Sequence, residues 1–239
     1  VMKARDLHPE EADIYAMLGR TYYWLQEYQD ALEMYEKALE FDSELVQGLS
    51  GQGLVYTALG DYRQALAYFD DALGLFPDAA LYNNRAVLSD RLGHYALAIE
   101  NFQNAIALDP QFALGYANLG LAYINMWDFD NAEAQCQKSL ELDEYNCAAH
   151  YCLGRIYKAS NEIALLEQAL RHYTQVLEYG CEYFDENYIA NAYIFRGQVK
   201  EALEFPVGEV LADFEAAIQY DSRHTYAYMI LGEYYDGEK

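Results

Sequence analysis

Positive charge is what this sequence has least of. Only 15 Lys and Arg stand against 39 Asp and Glu in 239 residues, a formal net charge of -24 at pH 7. A field of that sign repels a phosphate backbone, so neither nucleic acid nor an anionic membrane is an expected partner, and a basic one is favoured. The same charge also keeps a large helical surface dissolved. Proline is scarce too, with 4 residues beside 15 Gly, and long Ala/Leu/Glu/Tyr stretches predict helix almost throughout. No run approaches the roughly 18 apolar residues of a membrane span. Val1 to Glu10 carry Lys3, Arg5 and Asp6 with no apolar stretch behind them, so no signal peptide is expected. The four cysteines, Cys136, Cys147, Cys152 and Cys181, lack the dense spacing of a secreted disulfide scaffold. They read as core thiols, favouring a reducing, cytoplasmic setting. The trio Cys147, His150 and Cys152 does not read as a metal site, because residues 150 and 152 leave different sides of one helix. No cofactor is expected.

Hydrophobic residues nevertheless make up 53% of the chain, ample for a core. They recur with a long period. A small residue flanked by large ones appears as Gly19, Gly53, Ala86, Gly120, Gly154, Gly197 and Gly232, at spacings of 34, 33, 34, 34, 43 and 35. A second series, Ala4, Ala38, Ala72, Ala105, Ser139, Val176 and Ala217, is spaced by 34, 34, 33, 34, 37 and 41. Three residues before the second marker stands an aromatic, as in Tyr35, Phe69, Phe102, Tyr173 and Phe214, with Cys136 the exception. Five residues after it comes Pro9, Ser43, Pro77, Pro110, Glu144, Cys181 or Ser222. Two series sharing one period mark an internal repeat.

The repeat resembles the tetratricopeptide family, whose units of about 34 residues carry W-x2-L-G-x2-Y, then A-x3-F, then P. Tyr15, Leu18, Gly19, Tyr22, Ala31, Tyr35 and Ser43 fill that pattern once, and Leu49, Gly53, Tyr56, Ala65, Phe69 and Pro77 fill it again. Tyr82, Ala86, Ala98, Phe102 and Pro110 follow, then Tyr116, Leu119, Gly120, Tyr123 and Ala132. The resemblance implies an all-α fold, a right-handed superhelical solenoid of stacked antiparallel hairpins. The divisions are 1–11, the end of a preceding helix; repeats at 12–45, 46–78, 79–112, 113–146, 147–183 and 184–224; and 225–239, the first helix of a seventh. A short hairpin cannot bury its own apolar stripe, so neighbours must stack. Small markers let the helix axes approach, and the aromatics fill the space beside them.

Three places break the period. Gly154 to Val176 spans 22 residues where Gly19 to Ala38 spans 19, predicting a lengthened turn near Ala159 to Ala164. Six extra residues fall around Tyr179 to Ile189, an acidic and aromatic stretch. The hairpin from Ala190 to Ser222 carries Pro206 and Gly208 at its turn and one extra residue. Neither end reads as a polar capping repeat, which predicts a piece of a longer protein.

In this family the first helices line a concave surface that receives an extended or helical peptide. The resemblance therefore implies a groove made of residues three and two before the small marker and one, four and five after it. Its candidate residues are Arg20, Tyr23, Trp24, Leu54, Asn83, Asn84, Val87, Arg91, Asn118, Leu121, Asn125, Tyr151, Arg155 and Lys158. Asn84 and Asn118 hold one slot in neighbouring repeats and resemble an asparagine ladder, whose amides both donate to and accept from a peptide backbone. Arg20, Arg91, Arg155 and Lys158 are placed to grip ligand carboxylates or to neutralise nearby acids such as Asp90. A chaperone-type dicarboxylate clamp is absent, because Leu114 and Asn118 stand where Lys and Arg are required.

No P-loop, dinucleotide turn, G-x-S-x-G elbow or H-E-x-x-H helix occurs, and the five histidines are scattered among the units. The chain reads as no enzyme. The expected function is a protein–protein interaction scaffold holding a peptide or protein segment, with end-to-end self-association, or a regulatory sensor domain of a larger enzyme, as alternatives.

Overall fold

The computed structural model describes residues 9–160, 162–179 and 186–237. The stretch 1–8, read as the end of a preceding helix, and residues 180–185, where Cys181 and part of the longer insertion fall, lie outside the described residues. All thirteen elements found among the described residues are α-helices. None is long and apolar enough to cross a membrane. The chain divides into two units, one ending at Pro110 and the other beginning at Gln111.

The first unit holds α1 (Pro9–Trp24), α2 (Tyr28–Phe41), α3 (Val46–Leu59), α4 (Tyr62–Leu75), α5 (Ala79–Arg91) and α6 (Tyr95–Leu108), paired into three hairpins. Local chemistry sets the boundaries. Asp61 accepts from the backbone N–H of Gln64 at 3.2 Å, and Asp78 from those of Ala80 at 2.8 Å and Leu81 at 3.2 Å, starting α4 and α5. The hairpin turns pass through left-handed backbone at Gln26, Gly60 and Gly93. Each second helix ends alike: the N–H groups of Asp42, Phe76 and Asp109 donate at 2.9 Å to the carbonyls of Ala38, Ala72 and Ala105, and the chain then turns extended. Those alanines are fully buried, so the repeating small residue marks where the second helix meets its neighbours.

Close approach explains the other series. A Cβ on Gly53 would stand 2.8 Å from the Phe69 ring, closer than packed atoms come. Leu49, Phe69, Leu73, Leu81 and Leu88 form one core cluster; Ala31, Leu32, Tyr35 and Val55 form another. Burying one such aromatic contributes about 1.5–3 kcal/mol.

The second unit holds α7 (Ala113–Asn125), α8 (Phe129–Leu142), α9 (Cys147–Ser160), α10 (Ile163–Glu178), α11 (Glu186–Ala202), α12 (Val207–Tyr220) and α13 (Thr225–Gly237). Its first turn places Trp127 in left-handed backbone with φ 62°, which costs a non-glycine residue about 1 kcal/mol. The three residues that predicted a lengthened turn are instead taken up as helix. Only residues 161–162 separate α9 from α10, and α10 has 16 residues where α2, α4, α6, α8 and α12 have 14. Part of the longer insertion likewise extends α11 to 17 residues, against 14 in α9.

Three sets of residues separated in sequence meet in this unit. Cys136 and Cys152 form a disulfide joining α8 to α9, with Cα atoms 6.4 Å apart. Both were expected as thiols; the correction follows from place. Cys136 occupies the aromatic position over Gly120, and Cys152 reaches the same space from the next hairpin. Cysteine usage therefore gives no argument for a reducing compartment. His150 and His172, read as scattered, meet across α9 and α10 with their Nδ1 atoms 2.8 Å apart. Asp213 of α12 is buried against Arg196 and Lys200 of α11, at 3.0 Å from the arginine Nε and 2.9 Å from the lysine Nζ.

Candidate functional site

The first helices of the first unit enclose two adjoining clefts. One, of about 470 Å³, lies between α1 and α3. Its α1 wall is Ala16, Met17, Arg20, Tyr23 and Trp24, and its α3 wall includes Ser50, Gly51 and Leu54. The other, of about 690 Å³, lies between α3 and α5; it shares Gln47, Ser50 and Leu54 with the first and reaches Leu81 and Asn84. A helical period of 3.6 residues puts positions 16, 20, 23 and 24 on one face of α1, which is how one wall comes from one helix.

Aromatic rings give the α1 wall its shape. Tyr23 meets Trp24 edge-on with ring centroids 5.8 Å apart and packs on Tyr28 of α2 at 6.0 Å. Trp24 is 64% exposed. Burial raises the Tyr23 hydroxyl above its usual pKa, and the neighbouring Tyr28 raises it further. Tyr35 of α2 forms the floor, and burial pushes its hydroxyl up to about 12 against the opposing charge of Arg20.

Arg20, Tyr23, Trp24, Leu54 and Asn84 are thus brought to the clefts. Val87 is half-buried on α5, and Arg91 is exposed at its end. In the second unit Asn118 and Asn125 are half-buried on α7, and Arg155 and Lys158 are half-buried on α9. The Lys158 ammonium stands 5.1 Å over the Phe195 ring, and burial lowers its pKa. Asn84 lies in the first unit and Asn118 in the second.

Three candidates are buried. Asn83 and Tyr151 are 6% and 3% exposed, and Ala117 and Ile194 at the same position three before the small marker are buried as well, whereas Ala16 and Ser50 at that position line the cleft between α1 and α3. Leu121, at 7%, belongs to the core cluster with Ile124 and Cys152. Sequence reasoning missed Tyr35, which it read as packing alone. Its signal was Gly51, whose missing side chain makes room for the tip of the ring.

Comparison with known proteins agrees with this architecture. Family models described as tetratricopeptide repeat match residues 12–45, 51–93 and 113–146, and one described as TPR repeat matches 91–126. Heat shock protein STI1 of Saccharomyces cerevisiae is 30% identical over 109 residues, 45% of this chain and 18% of that protein. The Hsp70-Hsp90 organizing protein of Triticum aestivum is 33% identical over 88 residues, 36% of this chain and 15% of that one. The chain therefore spans less than a fifth of the length of these relatives. The solved APC/C hetero-tetramer Cut9-Hcn1 matches with a TM-score of 0.80 and 22% identity, covering 96% of this chain and 43% of that one, a likeness of fold.

Proposed function

Because the chain belongs to the tetratricopeptide repeat family, we propose that it is a non-enzymatic scaffold holding an extended peptide or protein segment against its first helices. The observation that carries this reading is the pair of adjoining clefts on α1, α3 and α5, walled by Arg20, Tyr23, Trp24, Leu54 and Asn84. A segment crossing them finds apolar walls, a fixed cation and an amide able to pair with a peptide backbone. In the first unit Val87 and Arg91 of α5, and separately in the second unit Asn118, Asn125, Arg155 and Lys158, are proposed as further ligand contacts. The wheat relative, an Hsp70-Hsp90 organizing protein, supports protein as the class of ligand. The net charge of -24 opposes nucleic acid.

The test is a panel of short synthetic peptides titrated against the chain by isothermal titration calorimetry. For peptides that bind, Trp24→Ala with Tyr23→Ala weakens the affinity about tenfold or more while helicity stays intact. Binding unaffected by those two substitutions refutes the site.

A second reading is end-to-end self-association. It is supported by Ile14, Met17 and Leu18 of α1 and by Tyr226, Tyr228 and Met229 of α13, all exposed by 40% or more. Light scattering over a concentration series separates the two, since assembly of this kind needs no peptide.

A further inference from the structure

We infer that the cleft between α1 and α3 receives an acidic side chain of the bound segment, held by Arg20 and the Tyr35 hydroxyl, with a basic residue of the same segment beside Asp13. The inference rests on the groove reading above and names the chemistry of its occupant.

It begins with the second-helix position that packs on the small marker. That position holds Tyr35, Phe69, Phe102, Cys136, Tyr173 and Phe214 in successive hairpins. Only two of the six carry a hydroxyl, and the two are treated oppositely. The Tyr173 hydroxyl is buried without a hydrogen-bond partner, and Phe195 and Tyr151 pack on its ring at 5.9 and 6.2 Å. Phe195 stands two residues before Gly197. Two residues before Gly53, the same covering position holds Gly51. A Cβ there would run into the Tyr35 Cζ atom. Glycine therefore lets the tip of the Tyr35 ring through to the cleft, where it forms the floor. A hydroxyl at the base of an apolar cleft is a specific hydrogen-bonding point, useful only to an occupant that reaches it.

Charge then selects the occupant. Arg20 lines the cleft and makes no ion pair among the described residues, in a chain with 39 acidic residues. It lies near enough to Tyr35 to offset part of the rise that burial imposes on that hydroxyl. A guanidinium and a hydroxyl lining one cleft fit a carboxylate, which accepts from both. Asp13 lines the same cleft seven residues earlier on α1, about 10 Å along the helix at 1.5 Å per residue. An extended chain covers that distance in about three residues. The fitting segment therefore carries Asp or Glu and, three positions away, Lys or Arg, with apolar residues between them against Met17 and Leu54, and with Trp24 one turn beyond Arg20.

The experiment uses the full chain with Trp127→Phe, which leaves Trp24 as its one tryptophan of two. The probes are N-acetylated, C-amidated hexapeptides containing Glu-Leu-Ala-Lys, with Gln-Leu-Ala-Lys and Glu-Leu-Ala-Gln as neutral counterparts, read by Trp24 emission. The Glu-Leu-Ala-Lys peptide is expected to bind about tenfold more tightly than the Gln form. Arg20→Gln abolishes that preference, Tyr35→Phe reduces it with the circular dichroism unchanged, and Asp13→Asn removes the preference for Lys. If the Gln form binds as well as the Glu form, or if the preference survives Arg20→Gln, the charge assignment is overturned while the groove stands. If no peptide of either kind moves Trp24, the groove reading falls and takes this inference with it.

Discussion

Acid should loosen the fifth hairpin before it affects any other part of the chain. His150 Nε2 lies 3.0 Å from the carbonyl oxygen of Glu144, which only accepts, so that nitrogen carries the proton. His150 Nδ1 is then the acceptor, and the proton in the 2.8 Å contact belongs to His172 Nδ1. Both rings are neutral in this arrangement. Burial lowers both pKa values, and burial together with the charges of His150 and Arg171 brings that of His172 from 6.5 to about 4. Since the folded values lie below the unfolded one, the unfolded chain binds protons first, and stability falls as pH drops below 6.5 toward 4. Linkage gives about 2 kcal/mol lost from His172 between pH 7.5 and pH 5, discounted to about 1 kcal/mol for its partial exposure. Asp143 opposes the shift of His150, and the Tyr157 and Tyr179 rings cover the pair at 5.6 and 5.5 Å. The assay is urea unfolding by circular dichroism from pH 7.5 to 5, with NMR titration of the His172 ring. The variant His172→Asn keeps a donor toward His150 but does not titrate. It should remove at least half of the pH dependence. A His172 midpoint between 6 and 7, or an equal slope in the variant, refutes the reasoning.

Two further outcomes follow from the second unit. Asp213→Ala leaves Arg196 and Lys200 without their buried anion and should cost about 3–5 kcal/mol; hydrogen exchange should rise in α11 to α13 and remain unchanged in α7 and α8. Breaking the Cys136–Cys152 bridge by the double change to Ser releases a link across 16 residues, worth about 3 kcal/mol by loop closure, and should lower the urea midpoint. Thiol titration of the unfolded, unreduced protein checks the starting state, since reactive Cys136 or Cys152 contradicts the bridge.

The hairpins were legible because their signals are local and periodic. Gly53 and Phe69 announce a close approach wherever the chain places one helix beside the next, and Asp61 and Asp78 mark helix starts by their own side chains. The altered fifth hairpin was legible as a count of extra residues but not as a place. Nothing in the stretch from Ser160 to Leu166 says whether three residues join a turn or a helix; α10 absorbs them because helix continues to bury Leu166 against its partner. The pairs His150–His172 and Cys136–Cys152 were hidden for another reason. Each joins two helices, and contact across helices depends on which face each residue takes, a fact that spacing along one helix does not contain. Asn83 and Tyr151 show the same limit: the repeat position they hold lines a cleft at Ala16 and Ser50 and is packed away at Ala117 and Ile194, and spacing does not tell which.

The contrast between Tyr35 and Tyr173 carries this point to function. Both are tyrosines at one position of the repeat, both lie against a marker glycine, and both have their hydroxyls raised by burial. What separates them is one residue in the following first helix, Gly51 in one case and Phe195 in the other. Phe195 closes the position and leaves a hydroxyl sealed in the core, where it gains nothing from its polarity. Gly51 opens the position and turns the same hydroxyl into the floor of a cleft beside Arg20. The binding capacity proposed for this stack therefore lies less in the residues that define the repeat than in the places where a covering side chain is missing.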